Sequence, residues 1–513
     1  MGGNTSQLPP PPANFPYFSL TFRIYDKIKL IDCDDQCLSL IQQVVTSNWP
    51  NGIQSQCYDH GAFEIKFLGR PFCASGSKKE ALASKRMCCA LLISLQSAGW
   101  ELCVNSDLSR STDLTTWFFQ RNPALIGKQL PTVGGIICLS LSSHDKLQLI
   151  NAPTVLHNEL LQCVGPLLQS HEVHGSDYEV KLVGYPWSSA SFEEGVSARQ
   201  LLLNTIRKFD SHNFRFYGTA NLKGTADCIF FEQDRNYVAG ETRFCMLSLN
   251  ASDRIRLIDC PQAVVETVGR CINQYWPGGI QDTRQYEHCV EYKLRGYPWH
   301  SYGDDAINSR FLITLILQSL VPVGWAVMSA LDISRRANDK AVFVLRSCTP
   351  TSIPHMCISP ADMDLIRLIN APKDMQDAVN SVIHSNWPYG VQREGTRLMA
   401  YEWKLQGHPW SSHGGNDYAM SRHLMTRLLN EMARLGWRVI CSADVSAKHV
   451  HQDNGPDYPV DVHSWFLART GHVAQPPNMP GPSSAAGFGL GFAPPPEAVP
   501  PPPSYSEAMN EKQ

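Results

Sequence analysis

The sequence predicts an α+β protein with four tandem repeats, each a two-layer sandwich that has its helices on one side of a sheet. Two observations support this fold class. A ten-residue stretch recurs four times with small changes, and 513 residues far exceed the size of a single hydrophobic core. The four copies are FEIKFLGRPF from Phe63, YEVKLVGYPW from Tyr178, VEYKLRGYPW from Val290 and YEWKLQGHPW from Tyr401.

Constant spacings place these stretches inside longer repeats. Counted from Ile31, Ile258 or Ile369, a Trp-Pro pair follows after 18 residues, a lysine after 35 and a glycine after 38. The second copy, counted from Ile150, lacks the Trp-Pro pair and reaches its lysine four residues earlier. Such agreement indicates that a unit of about 110 residues was duplicated, and that its second copy has diverged.

Hydrophobic periodicity predicts the order strand, helix, strand, helix, strand, strand in each repeat. In the third copy FCMLSLN is the leading strand, and Val264, Val268 and Ile272 share one face of the first helix. The recurring stretch alternates apolar and polar residues, as a half-buried strand does, and a glycine and proline end it. A second helix follows, clearest from Leu424 to Leu435, before the strands GWAVMSALDIS and KAVFVLR.

These elements define four domains and two terminal segments. Each repeat is of ordinary domain size, so we expect it to hold its own core and to leave one face of its sheet in solvent. The links between repeats are short and are compatible with a compact or a bead-like arrangement. The predicted boundaries are 1–16 for a disordered N-terminal tether, 17–122, 134–233, 242–347 and 354–470 for the four repeats, and 471–513 for a disordered proline-rich tail.

A glutamate and a lysine two residues apart recur on one face of the central strand and are candidate surface residues. The pairs are Glu64 and Lys66, Glu179 and Lys181, Glu291 and Lys293, and Glu402 and Lys404. They could form a charged patch with an arginine of the second helix (Arg86, Arg199, Arg310, Arg422) and a later acid (Asp107, Asp332, Asp444). An ion pair on a solvated face, worth about 0.2–1 kcal/mol, is the preferred interpretation over a catalytic role.

No catalytic, cofactor or metal signature recurs in register. The sequence contains no repeated nucleophile with a histidine base, no phosphate-binding glycine loop and no Cys/His set at zinc spacing. We therefore predict that the protein is not an enzyme and needs no cofactor. An enzyme with a site on one repeat stays an alternative, because an insert in the fourth repeat carries His449 and His451.

Charge and cysteine usage argue against a nucleic-acid partner and against secretion. Lys and Arg number 44 against 47 Asp and Glu, so no strong basic field exists, and nucleic-acid binding is only an alternative. The 17 cysteines keep no register between repeats and form no CxxC pair, which indicates reduced cytoplasmic core residues. No apolar run reaches the roughly 18 residues of a membrane span.

The N-terminal sequence MGGNTS fits the acceptor pattern for N-myristoylation. Removal of Met1 would expose Gly2, and Ser6 occupies the required later position. One myristoyl chain gives an association constant of about 10⁴ M⁻¹, so membrane binding through it alone is reversible. We expect a peripheral membrane association.

The C-terminal tail carries a Pro-Pro-x-Tyr motif. Pro502, Pro503 and Tyr505 form it within PPPPSYSEAMNEKQ. The motif resembles the ligands of WW domains, including those of HECT-type ubiquitin ligases and their adaptors. Such ligands bind in an extended polyproline conformation, which costs little entropy. The tail is therefore predicted to recruit a WW-domain protein.

Together these features predict a cytoplasmic adaptor or scaffold. Its repeats would bind protein partners, its acyl chain would place it at a membrane, and its tail would bring a WW-domain protein to the same place. Tethering of this kind raises the local concentration of the recruited partner and turns weak contacts into avidity.

Overall fold

The computed structural model describes residues 14–470, apart from residues 24, 74–76, 109–112, 190, 223–225, 238–239, 335–339, 412–414, 447–448, 453–454 and 460–461. This part of the chain forms four six-stranded antiparallel sheets, each with two long helices. The α+β class and the four predicted repeats are confirmed. The segments 1–16 and 471–513, predicted to be disordered, lie outside the described residues except for 14–16.

The first two repeats have the same order of elements. The first comprises β1 (Tyr17–Arg23), β2 (Lys27–Ile31), α1 (Asp35–Asn48), β3 (Ile53–Asp59), β4 (Ala62–Phe67), α2 (Lys78–Ser97), β5 (Trp100–Ser106) and β6 (Asp113–Arg121). The second comprises β7 (Ile136–Ser142), β8 (Lys146–Ile150), α3 (Thr154–Val164), β9 (Leu168–His174), β10 (Asp177–Leu182), α4 (Phe192–Ser211), β11 (Phe214–Ala220) and β12 (Cys228–Gln233).

The last two repeats keep this order, and the fourth adds a hairpin. The third comprises β13 (Phe244–Asn250), β14 (Arg254–Ile258), α5 (Gln262–Tyr275), β15 (Ile280–Tyr286), β16 (Cys289–Leu294), α6 (Gly303–Leu320), β17 (Trp325–Leu331) and β18 (Val342–Ser347). The fourth comprises β19 (His355–Ala361), β20 (Leu365–Ile369), α7 (Lys373–Asn386), β21 (Val391–Arg397), β22 (Ala400–Leu405), α8 (Gly415–Arg434), β23 (Trp437–Ala443), the hairpin β24 (His449–Gln452) and β25 (Gly455–Pro459), and β26 (Ser464–Arg469).

All four sheets share one strand order. In the first repeat it is β3-β4-β2-β1-β6-β5, and the equivalent strands follow the same order in the other three. The third strand of each repeat therefore forms one edge of its sheet and the fifth strand forms the other. All the paired strands within these sheets are antiparallel.

Each repeat has two strands more than the sequence pattern predicted. The second strand contains the isoleucine from which the repeats were counted, and its five residues are too few to show a clear alternation. The third strand has no apolar face, because it lies at an exposed edge of the sheet where both of its faces meet solvent. The predicted order of six elements in each repeat is thus wrong, because it omits the second and third strands.

A residue with positive φ ends the second strand of every repeat. Asp32, Asn151, Asp259 and Asn370 directly follow the anchor isoleucine and have φ between 50° and 59°. Asp and Asn enter the left-handed region more readily than other residues with a Cβ atom. The recurring Ile-Asp or Ile-Asn pair in the sequence is therefore a signal for a sharp turn out of that strand.

The second helix of each repeat packs between two sheets. It lies on its own sheet, and its opposite side contacts the first two strands of the next repeat: α2 contacts β7 and β8, α4 contacts β13 and β14, and α6 contacts β19 and β20. The helix α8 of the fourth repeat contacts β1 and β2 of the first. The four repeats therefore close into a ring.

The edge strands β5, β11, β17 and β23 meet at the centre of this ring. They contact one another in the cycle β5 to β11, β11 to β17, β17 to β23 and β23 to β5. The equivalent strand of each repeat thus surrounds a common axis, which relates the repeats by pseudo-fourfold symmetry. The opposite edge strands, such as β3 and β15, lie at the periphery.

The hydrophobic cores are shared between neighbouring repeats. One apolar cluster contains Leu92 and Phe119 of the first repeat together with Ile136 and Phe230 of the second. Equivalent clusters join repeats two and three, three and four, and four and one. The expectation of a separate core and a solvated sheet face in each repeat is therefore wrong, because the helix of the preceding repeat covers that face.

Helix α6 shows how strongly this arrangement buries a helix. Its segment 303–323 is the one helix in the described part of the chain that is long and apolar enough to cross a membrane, and 78% of its most apolar window is buried. A helix that packs on both sides needs apolar residues around its whole circumference. The 17 cysteines form no disulfide bonds in the described residues, and most of them lie in these cores.

Candidate interaction sites of the ring

The strand glutamates lie on the sheet face that the preceding repeat covers. Each is at most 7% exposed, and each accepts hydrogen bonds or ion pairs from side chains of the adjacent second strand. The partners are Lys27 and Lys29 for Glu64, Lys146 and Gln148 for Glu179, Arg254 and Arg256 for Glu291, and Arg367 for Glu402. These buried carboxylates are consequently paired across strands, as the register of β14 and β16 shows.

The electrostatics of Glu179 show how its buried carboxylate stays ionised. Burial alone would raise its pKa, but hydrogen bonds from Lys146, Gln148 and Lys78 outweigh burial and lower the pKa to about 2. Lys78 comes from the preceding repeat, with its Nζ atom 3.1 Å from Glu179 Oε1. The glutamate therefore helps to attach one repeat to the next.

The strand lysines have different partners from the strand glutamates. Each points to an aspartate that precedes the second strand of the same repeat, at 3.1–3.9 Å between Nζ and the nearer carboxylate oxygen. The four ion pairs are Lys66 with Asp26, Lys181 with Asp145, Lys293 with Asp253 and Lys404 with Asp364. The structure thus does not bring the predicted Glu and Lys residues together in pairs.

A buried cation occupies the eighth position of the second helix in every repeat. The four residues are Lys85, Arg199, Arg310 and Arg422, and each is at most 5% exposed. The first three donate to the next repeat: Lys85 to Gln148 Oε1 at 2.6 Å, Arg199 to Ser248 Oγ at 2.8 Å and Arg310 to Ser446 Oγ at 2.8 Å. These cations are structural contacts between repeats.

The prediction that Arg86 belongs to this series in the first repeat is wrong. Its side chain is 49% exposed and pairs with Asp177 of the second repeat. Lys85 is the true equivalent, because the loop between the strand glycine and the helix varies in length from one repeat to another and shifts the count.

The later acids lie at the joints between repeats. The backbone carbonyl of Asp332 accepts from the Asp227 amide at 2.8 Å, that of Asp444 from the Ala341 amide at 3.1 Å, and that of Asp107 from the His463 amide at 3.0 Å. Each bond joins the segment that follows a central edge strand (β5, β17 or β23) to the preceding repeat in the ring. The residues of the predicted charged patch therefore lie at separate contacts between repeats and are not gathered at one site.

The contact between repeats four and one, which we call the seam, has a distinctive polar cluster. Asp32 of the first repeat is buried and contacts three side chains of α8: His423 Nδ1 at 2.9 Å, Arg427 Nη2 at 3.3 Å and the Thr426 hydroxyl. Trp465 Nε1 also donates to Ser106 Oγ across the seam at 2.9 Å. Periodicity gave no signal for this cluster, whose members are some 390 residues apart.

A β-bulge occurs at the same place in the four edge strands at the centre of the ring, β5, β11, β17 and β23. Cys103, Tyr217, Met328 and Ile440 each have no partner in the neighbouring strand, and each packs toward the core shared with the preceding repeat. Bulges increase twist and redirect side chains. The four bulged strands enclose an axial cavity of about 340 Å³, which sequence patterns did not reveal.

Both ends of the ring's chain lie beside the start of β23. The Arg438 guanidinium donates to the Tyr17 hydroxyl at 3.4 Å, and Arg469 pairs with Trp437 in the sheet. The segments that precede and follow the described residues therefore leave the ring at neighbouring points, on the same end of its axis.

The recurring tryptophans are buried core residues that also form hydrogen bonds. The indole N–H groups of the tryptophans next to a proline donate to backbone carbonyls, for example Trp276 Nε1 to Arg295 O at 2.7 Å and Trp299 Nε1 to Arg254 O at 2.9 Å. By contrast, Tyr185 and Tyr297 in the loop before the second helix are 64% and 68% exposed.

Three sequence predictions fall outside this description. Gly2 and the motif of Pro502, Pro503 and Tyr505 lie outside the described residues. The histidines of the fourth-repeat insert belong to β24, but their side chains are not among those described. Within the described residues, no cluster of three or more His, Cys, Asp or Glu side chains could hold a metal ion.

The fold and the joints define a class of protein, a closed ring of four homologous α+β domains. A domain-family model matches residues 16–120, 135–236, 243–346 and 354–468, which together exceed half of the chain. The chain belongs to that domain family and contains four copies of its domain. The description of the family names a domain and no activity. No curated protein and no solved structure matches the chain.

Proposed function

We propose that the protein is an adaptor rather than an enzyme. In this proposal the ring is a rigid body, Gly2 carries an acyl chain that reaches a membrane, and Pro502, Pro503 and Tyr505 bind a WW-domain protein in the cytoplasm. The observation that carries the proposal is the proximity of the chain ends at Tyr17 and Arg469, both beside β23.

Adjacent chain ends suit an adaptor for a geometric reason. Two tethers that start from neighbouring points keep their bound partners within a short distance, which raises the effective concentration of one partner near the other. The same geometry would hold a WW-domain partner close to the membrane that the acyl chain enters.

The periphery of the ring offers surfaces for further protein partners. The outer edge strands are exposed on both faces, and Tyr58, Tyr185 and Tyr297 are each more than 60% exposed. Exposed tyrosines combine a large apolar surface with a hydrogen-bonding group and are enriched in protein interfaces. These features support the proposed binding of partners through the repeats.

Proximity labelling in cells tests the two tethers separately. We expect Gly2→Ala to lose membrane neighbours, and Tyr505→Ala to lose WW-domain neighbours while it keeps the membrane neighbours. Gly3→Ala and Ser506→Ala are matched controls that leave the acceptor glycine and the Pro-Pro-x-Tyr motif intact. Unchanged neighbours in both test variants would contradict the proposal.

Phosphorylation of Tyr505 provides an independent test of the tail. A phosphate adds charge and bulk to a side chain that must enter an aromatic pocket. We expect the purified full chain to bind an isolated WW domain, and phosphorylation at Tyr505 to weaken that binding at least about tenfold. Equal binding of both forms in a calorimetric titration would reject the assigned motif.

A further inference from the structure

The axial cavity has a mixed lining with one cation at its boundary. Leu102, Phe216 and Val327 line it from equivalent positions, Ile440 of the fourth repeat also lines it, and Arg346 is the one charged residue among the described residues that line it. Its volume of about 340 Å³ is within the range of about 300–1,000 Å³ that is typical of small-molecule sites.

Arg346 lies at the same end of the axis as the two chain ends. It pairs with Phe244 at the start of the first strand of its repeat, as Gln120 pairs with Tyr17 in the first repeat. The pseudo-fourfold axis relates the position of Arg346 to that of Gln120, which lies beside Tyr17 at the end of the axis where the chain ends are. The guanidinium of Arg346 therefore lies at that end of the cavity.

Arg346 is exposed and forms no close ion pair with the described residues, although its charge acts on the nearby carboxyl group of Asp210. The Asp210 carboxylate already accepts a hydrogen bond from the Tyr237 hydroxyl at 2.8 Å. The neighbouring equivalent position holds Glu232, but Lys128 and Arg215 already pair with that carboxylate. Arg346 is therefore the cation in the described lining of the cavity that is left to pair with an anion.

Pseudo-fourfold symmetry is broken at this position, which gives the cavity a direction. The equivalents of Arg346 are Gln120, Glu232 and Ala468, so only the third repeat supplies a cation here. A ligand with an acidic group at one end and an apolar chain would have a preferred orientation along the axis. An arginine binds such an acidic group with two parallel hydrogen bonds.

We propose that the axial cavity binds a free, single-chain organic anion, with its acidic group on Arg346 and its apolar chain among Leu102, Phe216, Val327 and Ile440. All four repeats contribute to this site, and ring closure is required to form it. The proposal is independent of the adaptor function and of both tethers.

Calorimetric titration of the purified full chain with decanoate tests this site. We expect one molecule to bind per chain, and decyltrimethylammonium, of equal chain length and opposite charge, to bind at least about tenfold more weakly. Arg346→Gln should weaken decanoate binding at least about tenfold, because hydrogen bonds to charged groups are the stronger ones. Arg284→Gln, at the exposed outer edge of the same sheet, is the matched control and should leave binding unchanged.

A second variant tests the cavity without a change of charge. Val327→Phe replaces a small side chain of the cavity lining with an aromatic ring and should abolish decanoate binding. If Val327→Phe does not fold, Arg346→Gln still tests the proposal. Absence of decanoate binding to the wild type, or equal binding by wild type and Arg346→Gln, overturns the proposal. Binding to phosphatidylserine vesicles but not to decanoate also overturns it, because the anion would then be a membrane lipid.

Discussion

The seam and the joint between repeats two and three use equivalent positions in opposite ways. At the seam, Asp32 is buried and contacts His423, Thr426 and Arg427. At the other joint, the equivalent Asp259 contacts Arg207, whose side chain is 35% exposed. Repeats two and three are also joined by a short covalent link, whereas the seam brings together the two chain-terminal repeats.

This difference indicates how the ring closes. A short link keeps neighbouring repeats close at little entropic cost, so the ion pair between Arg207 and Asp259 at their joint can remain partly exposed. The seam must instead be selected by contacts alone, and a buried charge cluster is strongly destabilising when one of its partners is missing. We infer that the seam gains specificity from groups that only the correct partner can satisfy.

Removal of the fourth repeat is expected to have the largest effect on folding, because it removes the seam altogether. A chain of residues 1–347 would expose two shared apolar cores, those between repeats three and four and between repeats four and one. We expect it to aggregate or to lack cooperative unfolding in circular dichroism and size-exclusion chromatography. A chain of residues 1–470 is the control and should unfold as the full chain does. A monomeric, cooperatively folded 1–347 would show that ring closure is dispensable.

Removal of the two aspartates should distinguish the joints directly. Asp32→Ala leaves the buried His423 and the partly buried Arg427 without their carboxylate and is expected to lower the free energy of unfolding by about 3–5 kcal/mol. Asp259→Ala removes a partly exposed ion pair and should cost about 0–1 kcal/mol. Urea denaturation measures both values. Equal losses would contradict the special role of the seam.

The two joints are expected to respond to pH in opposite directions. Burial raises the pKa of Asp227 at the joint of repeats two and three to about 7, and burial lowers the pKa of His463 at the seam to about 4. The unfolded carboxyl ionises near pH 4, so Asp227 costs stability progressively as the pH rises from about 4 to 7. The unfolded imidazole is protonated below about pH 6.5, so the seam loses stability as the pH falls from there toward 4.

Two substitutions separate these pH effects, each on the order of 2–3 kcal/mol. Asp227→Asn keeps an acceptor for the Asp332 amide and should raise the free energy of unfolding at pH 8 with little effect at pH 4. His463→Gln should raise it at pH 4.5 with little effect at pH 8. Urea denaturation at both pH values measures these differences, and parallel pH profiles for wild type and either variant would refute that assignment.

Two equivalent tryptophans should give the smallest difference. Trp465 donates to Ser106 Oγ across the seam, and Trp117 donates to Thr219 O across the joint of repeats one and two at 2.8 Å. Each change to Phe removes one hydrogen bond between repeats, so we expect both to cost on the order of 1–2 kcal/mol. A much larger loss for Trp465→Phe in thermal unfolding would extend the special role of the seam beyond its charged cluster.

Local patterns in the sequence predicted much of the fold. The alternation from Val290 to Leu294 identified a strand, and the helical spacing of Val264, Val268 and Ile272 identified a helix. The outer strand at 280–286 was missed, because a strand exposed on both faces has no hydrophobic alternation to detect. Periodicity reports which faces are buried and not which residues bury them.

The candidate sites were predicted less well than the fold, for the same reason. Glu291 was assigned correctly to a strand face, but that face is covered by α4 of the second repeat, which no local pattern could indicate. The cavity lining of Leu102, Phe216, Val327 and Ile440 combines residues that are more than 100 positions apart in sequence. Only the equivalent positions of Leu102, Phe216 and Val327, each two residues after Trp100, Phe214 or Trp325, could have suggested that these residues meet.

The sequence by itself determined four homologous α+β units, since local periodicity and repeated spacing are properties of neighbouring residues. The tertiary structure alone decided that these units form a closed ring with shared cores, a seam and an axial cavity. The physical reason is that closure depends on the angle at which each helix packs on the next sheet. That angle results from many contacts between distant residues, and no single stretch of the chain encodes it.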